Sequence, residues 1–540
     1  MVLISFISSK QVIINGLGVF TVCLGKDFTS KGFLHSSLYL LLEKLICSSS
    51  QIRRASDAVL HVISVSSGYP NVGKLVLANA DYVIDSLCRQ LRHLDLNPHV
   101  PNVLAAMLSS VGVANDILPL LEEPLRSVSL ELEVLGRHQH PDLTIPFLKA
   151  VAEIVKASKH ESYTMSTQAE SYYMNVKLKL SDMKSENAHF DNCNADIQLE
   201  HWEEMLFKLN ESRRYRRTVG SVTGSCLIAT TPLVSSVKEA ACLVALDIIE
   251  DGITALAKVE EAYAHESKTK GAILRAIQMG SFHDLQDALE ATDEGTDENR
   301  LLPAVNKIWP YLVVCIKNKN PMTTRRCLGV VSSVVQISGG DFFSRRFHND
   351  GPHFWKILAT SPFQKKPISR DETTPLRLPY RANSNLSEES TAETATLKTQ
   401  TAALHMIADL SKNKKSAPAL EAVLKKVSGL VVGIACSSVV GLRNASINAL
   451  TGLSCIDSDL IWLLLADVYF SLKKKKDVPS PPMTDLPEMS QLLPSPTYPK
   501  EYLYLQYGGE SFGFGVDSLS VEIVFKKLQL VLESQLFRNV

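Results

Sequence analysis

The chain of 540 residues is about 3.6 times the roughly 150 residues of a typical domain, which excludes a single compact core. Its 56 Lys and Arg residues nearly balance 57 Asp and Glu residues, so the net charge of −1 provides no overall field for binding nucleic acid or an anionic membrane. Hydrophobic residues make up 45% of the chain and charged residues 21%, which excludes wholesale disorder.

Two apolar stretches, Met1–Ile7 and Gln11–Leu24, flank Lys10 at the start of the chain. They fit either a helical hairpin or a secretory signal peptide. We favour the hairpin, because the positive charge follows the first apolar stretch instead of preceding it. The longest charge-free apolar run, Val427–Leu442, is interrupted by Ser and Gly, so no transmembrane helix is predicted. The ten cysteines form no C-x-x-C pair, which indicates a reduced, intracellular chain.

A helical period begins at Phe33 and recurs later in the chain. The first helix carries one apolar stripe, formed by Leu38, Leu41, Leu42, Leu45 and Ile46. After a polar turn the second helix carries Ile52, Arg53, Ser56, Val59 and Leu60. The same offsets return at Leu442, Arg443, Ser446, Ala449 and Leu450. Since a hairpin of about 40 residues cannot bury its apolar stripe alone, we predict an all-α fold, an α-solenoid of about ten stacked HEAT/armadillo-type hairpins.

Another helix pair is predicted around Asn320-Pro321. Asn at the N-cap and Pro at the first helical position are favourable there, because the proline lacks an N–H that would be unpaired anyway. The helix before this start, Leu301–Lys317, contains Trp309 and Pro310, and the helix after it covers Thr323–Ile337.

Composition changes divide the chain into seven segments. We predict N-terminal repeats over 1–180, a polar loop over 181–196, central repeats over 197–360, a Pro/Ser-rich loop over 361–396, C-terminal repeats over 397–472, a Lys/Pro-rich linker over 473–500 and a terminal segment over 501–540. The last segment is expected to end in an amphipathic helix with apolar positions Val521, Val524, Phe525, Leu528, Val531 and Leu532.

No motif predicts catalysis. His138, His140 and Asp142 follow part of a zinc-binding H-x-H-x-D-H pattern, but Leu143 replaces the final His, so a polar turn is favoured. Phosphate-binding loops are missing, and Ser221 lies one place early for a nucleophile elbow. The sequence therefore predicts a non-enzymatic protein with no cofactor and no metal.

Charged clusters are the remaining candidates for function. Arg213, Arg214, Tyr215, Arg216 and Arg217 could bind phosphates or an acidic partner, or could form a solvated helix end. Lys473–Lys476 is either a nuclear-import signal or a soluble linker, and the acidic run Asp293–Glu298 either favours a helix N-terminus or docks a basic partner. Ser390, with Glu393 three residues later, is a candidate phosphorylation site.

Several longer strings of the sequence are distinctive. They are Leu77–Val83 with Leu91–Leu94 and Pro98-His99, Leu301–Pro303 with Trp309-Pro310, Arg325–Cys327, and Asp341–Phe343 with Arg345–Phe347. Together they resemble the Tel-two-interacting protein family, specifically the large HEAT/armadillo-repeat subunit of the Triple-T (TTT) co-chaperone complex in a plant-like form. The resemblance runs from about Gly32 to Lys476 and corresponds to the C-terminal half of family members, which are longer than this chain.

This resemblance implies a protein-binding scaffold without catalytic residues. Its expected partners are the other two Triple-T subunits, the heat-shock chaperone with its R2TP-type adaptor, and the phosphatidylinositol-kinase-related kinases, including TOR and the DNA-damage kinases, whose folding and stability the complex supports. We expect a cytoplasmic location, with nuclear import as an alternative. No membrane and no nucleic acid is expected as a partner. The competing hypothesis is a nuclear-transport-type or nucleic-acid- and phosphoinositide-binding adaptor that uses Arg213–Arg217.

Overall fold

The computed structural model describes residues 2–91, 97, 100–111, 114–121, 141–186, 195–280, 299–318, 320–359, 382–437, 439–474 and 517–536. Every element of regular structure in these ranges is a helix, so the predicted all-α fold is confirmed. Two compact units are present, Met1–Tyr311 and Leu312–Val540. Among the helices in the described ranges, none combines the length and the hydropathy needed to cross a membrane.

The first unit begins with short helices. They are α1 (Val2–Leu24), α2 (Asp27–Ser30), α3 (Phe33–Leu45), α4 (Ser50–Ser66), α5 (Val72–Ala78), α6 (Ala80–Leu91), α7 (Val100–Ala105) and α8 (Ala114–Ile117). A π-helical turn, Ala106–Ser110, follows α7, and a 3₁₀ turn, Leu118–Leu121, follows α8. Helix α4 packs against both α1 and α3, and the predicted stripe of Ile52, Ser56, Val59 and Leu60 is buried. The predicted α3–α4 hairpin is therefore confirmed.

Three much longer helices follow in the same unit. These are α9 (Pro141–Glu186), α10 (Ala195–Thr230) and α11 (Glu239–Gly280), of 46, 36 and 42 residues, with a 3₁₀ turn at Thr231–Ser235. At about 1.5 Å per residue they are about 54–69 Å long. Helix α11 packs against both α9 and α10. The hairpins here are therefore longer than the predicted length of about 40 residues, because polar side chains inside these helices pair between helices and do not end them.

Helix α12 (Leu301–Lys317) begins in the first unit and ends in the second. The second unit continues with α13 (Pro321–Ser338), α14 (Gly340–Ala359), α15 (Ala382–Lys412), α16 (Pro418–Glu421), α17 (Leu424–Ala435), α18 (Val440–Ile456), α19 (Ser458–Lys474) and α20 (Ser518–Leu536). The Asn320 side chain accepts from the N–H groups of Met322 (2.9 Å) and Thr323 (3.4 Å), so the predicted N-cap of α13 is confirmed.

Helix α18 forms the centre of the second unit. It packs against α15, α17, α19 and α20, and it buries the predicted positions Leu442, Ser446, Ala449 and Leu450. The predicted terminal helix is α20, which buries Val521, Val524, Phe525 and Leu528. The side chains of Val531 and Leu532 lie outside the described residues.

Two predicted loops include helical residues. Residues 181–186 belong to α9 and 195–196 to α10, since no Gly or Pro ends either helix there. Helix α15 begins at Ala382 inside the loop predicted over 361–396, because the Ala- and Glu-containing segment that follows Pro379 lacks proline and extends the helix. The other predicted boundaries stay predictions.

Several predicted features lie outside the described residues. They are His138 and His140 with the Asp142 side chain, the acidic run Asp293–Glu298, the side chain of Ser390, and Lys475 and Lys476 with the side chains of Lys473 and Lys474.

Candidate partner-binding surface

The Arg213–Arg217 segment lies in the middle of α10. A helix macrodipole acts on charges in the first and last turns only, so the alternative of a solvated helix end is wrong. The five side chains spread over several faces of the helix, as the period of about 3.6 residues requires. Their environments consequently differ.

Arg216 faces the interior and is 5% exposed. Its Nε donates to Oε2 of Glu266 on α11 at 2.8 Å, and its guanidinium lies 5.0 Å from the centroid of the Tyr263 ring. Ser212, one turn earlier, donates to Oε1 of Glu266 at 3.0 Å. Arg216 is therefore held by α11, and the prediction that it faces a partner is wrong.

Tyr215 also bonds within the unit. Its hydroxyl donates to Oε2 of Glu161 on α9 at 3.1 Å. Burial, together with the neighbouring Glu161 carboxylate, raises the pKa of Tyr215 far above its ordinary value, so the phenol keeps its proton. Burial also raises the pKa of Glu266, while Arg216 and Ser212 oppose this rise. The low polarity around these groups strengthens each bond and makes the loss of one partner costly.

These bonds join three helices. Arg216 links α10 to α11, Tyr215 links α10 to α9, and Lys159 of α9 donates to Asp251 of α11 at 2.8 Å. Nearer the start of α10, a hydrophobic core is formed by Trp202, Met205, Leu206 and Leu209 with Val176 and Ile273. The Tyr172 hydroxyl donates to the Met205 carbonyl at 2.7 Å. The inner face of α10 is thus fixed in rotation and in register.

The opposite side of α10 is exposed. Arg214 is exposed, and Arg213 and Arg217 are half-buried. Phe207, which is 64% exposed, lies seven residues before Arg214 and therefore on the same face, with Glu211 between them. We call Phe207, Glu211 and Arg214 the outer face of α10. Aromatic and Arg side chains are the common anchors of protein interfaces. Sequence reasoning missed Phe207 because it lies outside the basic run, although the spacing of seven indicated a shared face.

The two repeat arginines have different roles. Arg53 donates from Nη1 to the carbonyls of Cys47 (2.6 Å) and Ser48 (2.9 Å), which follow the end of α3. Arg443 donates from Nη2 to the Ser520 hydroxyl of α20 at 2.7 Å. Arg53 therefore binds the turn before its own helix, whereas Arg443 joins α18 to α20. In α12, Trp309 is buried and Pro310 is exposed within a continuous helix.

Chemically reactive groups are not assembled in this region. Burial raises the pKa of the Cys226 thiol in α10 to about 12, so it is no thiolate at neutral pH. Within the described ranges, no three His, Cys, Asp or Glu side chains are grouped to hold a metal ion. The outer face of α10 instead presents an exposed aromatic ring and exposed charged side chains.

Family models and known proteins match this chain in sequence. A model described as TELO2-interacting protein 1 matches residues 38–129, and one described as TTI1 C-terminal TPR domain matches residues 155–462. The TELO2-interacting protein 1 homolog of Mus musculus is 25% identical over 467 residues, covering 84% of this chain and 38% of that protein. The Homo sapiens homolog is 23% identical over 493 residues, covering 84% of this chain and 39% of that protein. This chain thus spans about two fifths of these relatives' length.

A solved structure of a Kap121p mutant aligns with 93% of this chain and with 50% of the Kap121p chain, at 11% sequence identity and a TM-score of 0.23.

Proposed function

We propose, from the premise that this chain belongs to the TELO2-interacting protein 1 family, that it is a non-enzymatic scaffold of a Triple-T-type co-chaperone complex. The observation that carries the proposal is the match to the family's C-terminal domain over residues 155–462. That range includes α10, whose buried face is held by the Arg216–Glu266 ion pair and whose outer face carries Phe207 and Arg214. Rigid stacked helices can present such side chains to partners at constant spacing.

The proposed partners follow from the same premise. The relatives are named for interaction with TELO2, so a TELO2-type subunit is the first partner, and the third Triple-T subunit is the second. We extend the proposal to the heat-shock chaperone with its R2TP-type adaptor and to the phosphatidylinositol-kinase-related kinases, whose folding and stability the complex would support. The proposed location is the cytoplasm.

The competing role in binding nucleic acid, phosphoinositides or transport cargo receives less support. It requires the four guanidinium groups of Arg213–Arg217 to act together on a polyanion. Arg216 is bonded to Glu266 and buried, and Tyr215 is bonded to Glu161, so neither reaches a surface ligand without breaking a bond between helices.

Co-purification tests the scaffold. The full chain, tagged and expressed with the TELO2-type and third Triple-T subunits, is expected to recover both. Phe207→Glu with Arg214→Glu is expected to lower recovery of at least one subunit by about tenfold or more, because interface anchors dominate binding energy. Val237→Glu, at a valine that is 86% exposed in a turn away from this face, is the control and should bind normally. A folded, monodisperse chain that recovers neither subunit would refute the proposal.

A further inference from the structure

The two units of the chain carry opposite net charges. Met1–Tyr311 contains 29 Lys and Arg against 37 Asp and Glu, a net charge of −8. Leu312–Val540 contains 27 Lys and Arg against 20 Asp and Glu, a net charge of +7. The net charge of −1 for the whole chain conceals this asymmetry. An acidic ligand is therefore attracted by the second unit and repelled by the first.

One turn of the second unit concentrates positive charge. Residues 412–426 run from the end of α15 through α16 to the first turn of α17 and contain five lysines but one acidic residue, Glu421. All five lysine side chains are exposed. We call them the lysine patch, which consists of Lys412, Lys414, Lys415, Lys425 and Lys426.

The charge of the lysine patch is not compensated by carboxylates. In the part of the chain that the structure describes, none of the five ammonium groups forms an ion pair. Lys412 donates to the side-chain oxygen of Asn448, and Lys415 donates to the carbonyl of Ile337, which are both uncharged acceptors. Neighbouring like charges repel one another, so the patch gains free energy when an acidic ligand binds.

Two of these lysines also act against the stability of their own helix. Lys425 and Lys426 lie in the first turn of α17, where the positive end of the helix macrodipole disfavours cations. That turn contains no acidic residue, and Val423 at the N-cap provides no side-chain cap. Residues that break a local rule of stability are expected at functional sites. The placement therefore indicates a binding role for this turn.

The backbone of the turn is held rigidly. The N–H of Ser416 donates to the Asn413 carbonyl at 3.0 Å, and the buried Ser416 hydroxyl donates to the Leu410 carbonyl at 2.8 Å. The N–H of Gly340, the first residue of α14, donates to the Lys415 carbonyl at 2.8 Å. Because the turn is fixed before a ligand arrives, less conformational entropy is lost on binding.

We propose that the lysine patch binds an acidic segment of a partner protein, whose Asp and Glu side chains pair with Lys414, Lys425 and Lys426. These three ammonium groups form no hydrogen bond with the described residues. The site lies apart from the outer face of α10 in the sequence and does not depend on it. The inference adds a surface to the proposed scaffold and holds with or without a Triple-T role.

Two other polyanions fit the patch less well. Residues 412–426 contain no aromatic side chain on which a nucleic-acid base could stack, and the first unit repels an extended polyanion. Proteins that lie on a lipid surface insert apolar side chains beside their basic residues. The large apolar side chains of this turn, Leu420, Val423 and Leu424, are buried.

Fluorescence anisotropy of a labelled octaglutamate peptide, titrated with the full chain, tests this inference. We expect micromolar binding that weakens as the salt concentration is raised from about 50 to about 300 mM. Lys414→Glu with Lys425→Glu and Lys426→Glu should weaken binding by at least about tenfold, because three attractive pairs become repulsive.

A matched control separates the patch from the overall charge of the unit. Lys317→Glu with Arg345→Glu and Lys356→Glu changes the net charge by the same amount at exposed positions of the second unit outside the patch. It should weaken binding by less than about threefold, because exposed charges farther from the peptide are screened by salt.

Thermal unfolding separates a lost site from a lost fold. Lys425→Glu with Lys426→Glu places carboxylates in the first turn of α17, so it should raise the melting temperature by about 1–4 °C while it weakens binding of the peptide. A full chain that does not bind octaglutamate, or an equal loss of binding in the control variant, would overturn the proposal. So would tighter binding of duplex DNA or phosphatidylserine vesicles that the three patch changes abolish. Because the chain is tested alone, a failure to recover Triple-T subunits would not produce any of these results.

Discussion

The buried pair of Arg216 and Glu266 provides a quantitative test of how the first unit is held together. The Arg216 side chain is 6% exposed and the Glu266 side chain 3%, and Nε of Arg216 lies 2.8 Å from Oε2 of Glu266. Glu266→Leu leaves the Arg216 charge without its carboxylate, which should cost about 3–5 kcal/mol of unfolding free energy at neutral pH. Arg216→Met leaves the carboxylate unpaired and should cost a similar amount. The double variant removes both charges and should lie within about 2 kcal/mol of the original, since packing replaces the pair.

Urea unfolding followed by circular dichroism gives the stabilities, and hydrogen exchange of the α10 and α11 amides assigns the loss to the first unit. Lys208→Met is the control. It removes an ion pair with Glu204 in which both side chains are 58% exposed, and it should cost less than about 1 kcal/mol. If the two single losses simply add in the double variant, the pair is not coupled and the reasoning about its burial is refuted.

Three further predictions concern single groups. Burial raises the pKa of Glu266 although Arg216 and Ser212 oppose this rise, so ionising the carboxyl group reduces the stability that Glu266 contributes without removing its bonds to these two residues. The stability of the original chain relative to Glu266→Gln should therefore be greatest below the ordinary pKa of 4.5 and should fall as the pH rises through the folded pKa, as measured in a series of urea titrations. Asn320→Ala removes the cap of α13 and should cost about 1 kcal/mol in the second unit, measured by exchange of the first-turn amides, while Asn320→Asp should retain most of the stability. Gly340→Ala places a Cβ 2.6 Å from the Ala419 nitrogen and 2.7 Å from the Ser416 oxygen and should lower the melting temperature. Gly429→Ala, whose Cβ would meet no atom of the described residues within 4 Å, should not lower it.

Local patterns predicted the parts of the fold that local physics controls. The i, i+3, i+4 spacing located the buried stripe of α4, and the Asn320-Pro321 pair located the start of α13, because capping bonds form within one turn. The terminal helix α20 followed from the same period.

Features that depend on distant residues could not be predicted in this way. Glu266 lies 50 residues from Arg216, and nothing in the sequence around either residue indicates the other. The length of α11 depends on contacts of the same kind. Gly252 would ordinarily weaken a helix interior, but its missing side chain admits Leu227, which an added Cβ would approach to 2.6 Å. Polar residues and glycines that suggest breaks are therefore accommodated by neighbouring helices.

The repeat arginines show the same limit, because one pattern serves two different contacts. Arg53 donates to two carbonyls of a turn that α3 and α4 already enclose, so Arg53→Ala should cost about 1 kcal/mol or less and should not detach an element.

Arg443 donates to Ser520, whose hydroxyl also donates to Asp517 at 2.6 Å, and the Asp517 N–H donates to the Cys436 carbonyl at 2.9 Å. These bonds fix the first turn of α20 to α18 and to the residue that follows α17. Arg443→Ala should therefore speed amide exchange over 518–528 at least about fivefold, with little change in the exchange of α3 and α4. Arg53→Ala should speed the exchange of α3 and α4 by a smaller factor and should leave the exchange over 518–528 unchanged. Equal effects of the two changes on α20 would show that the shared pattern, and not the partner of each arginine, determines its role.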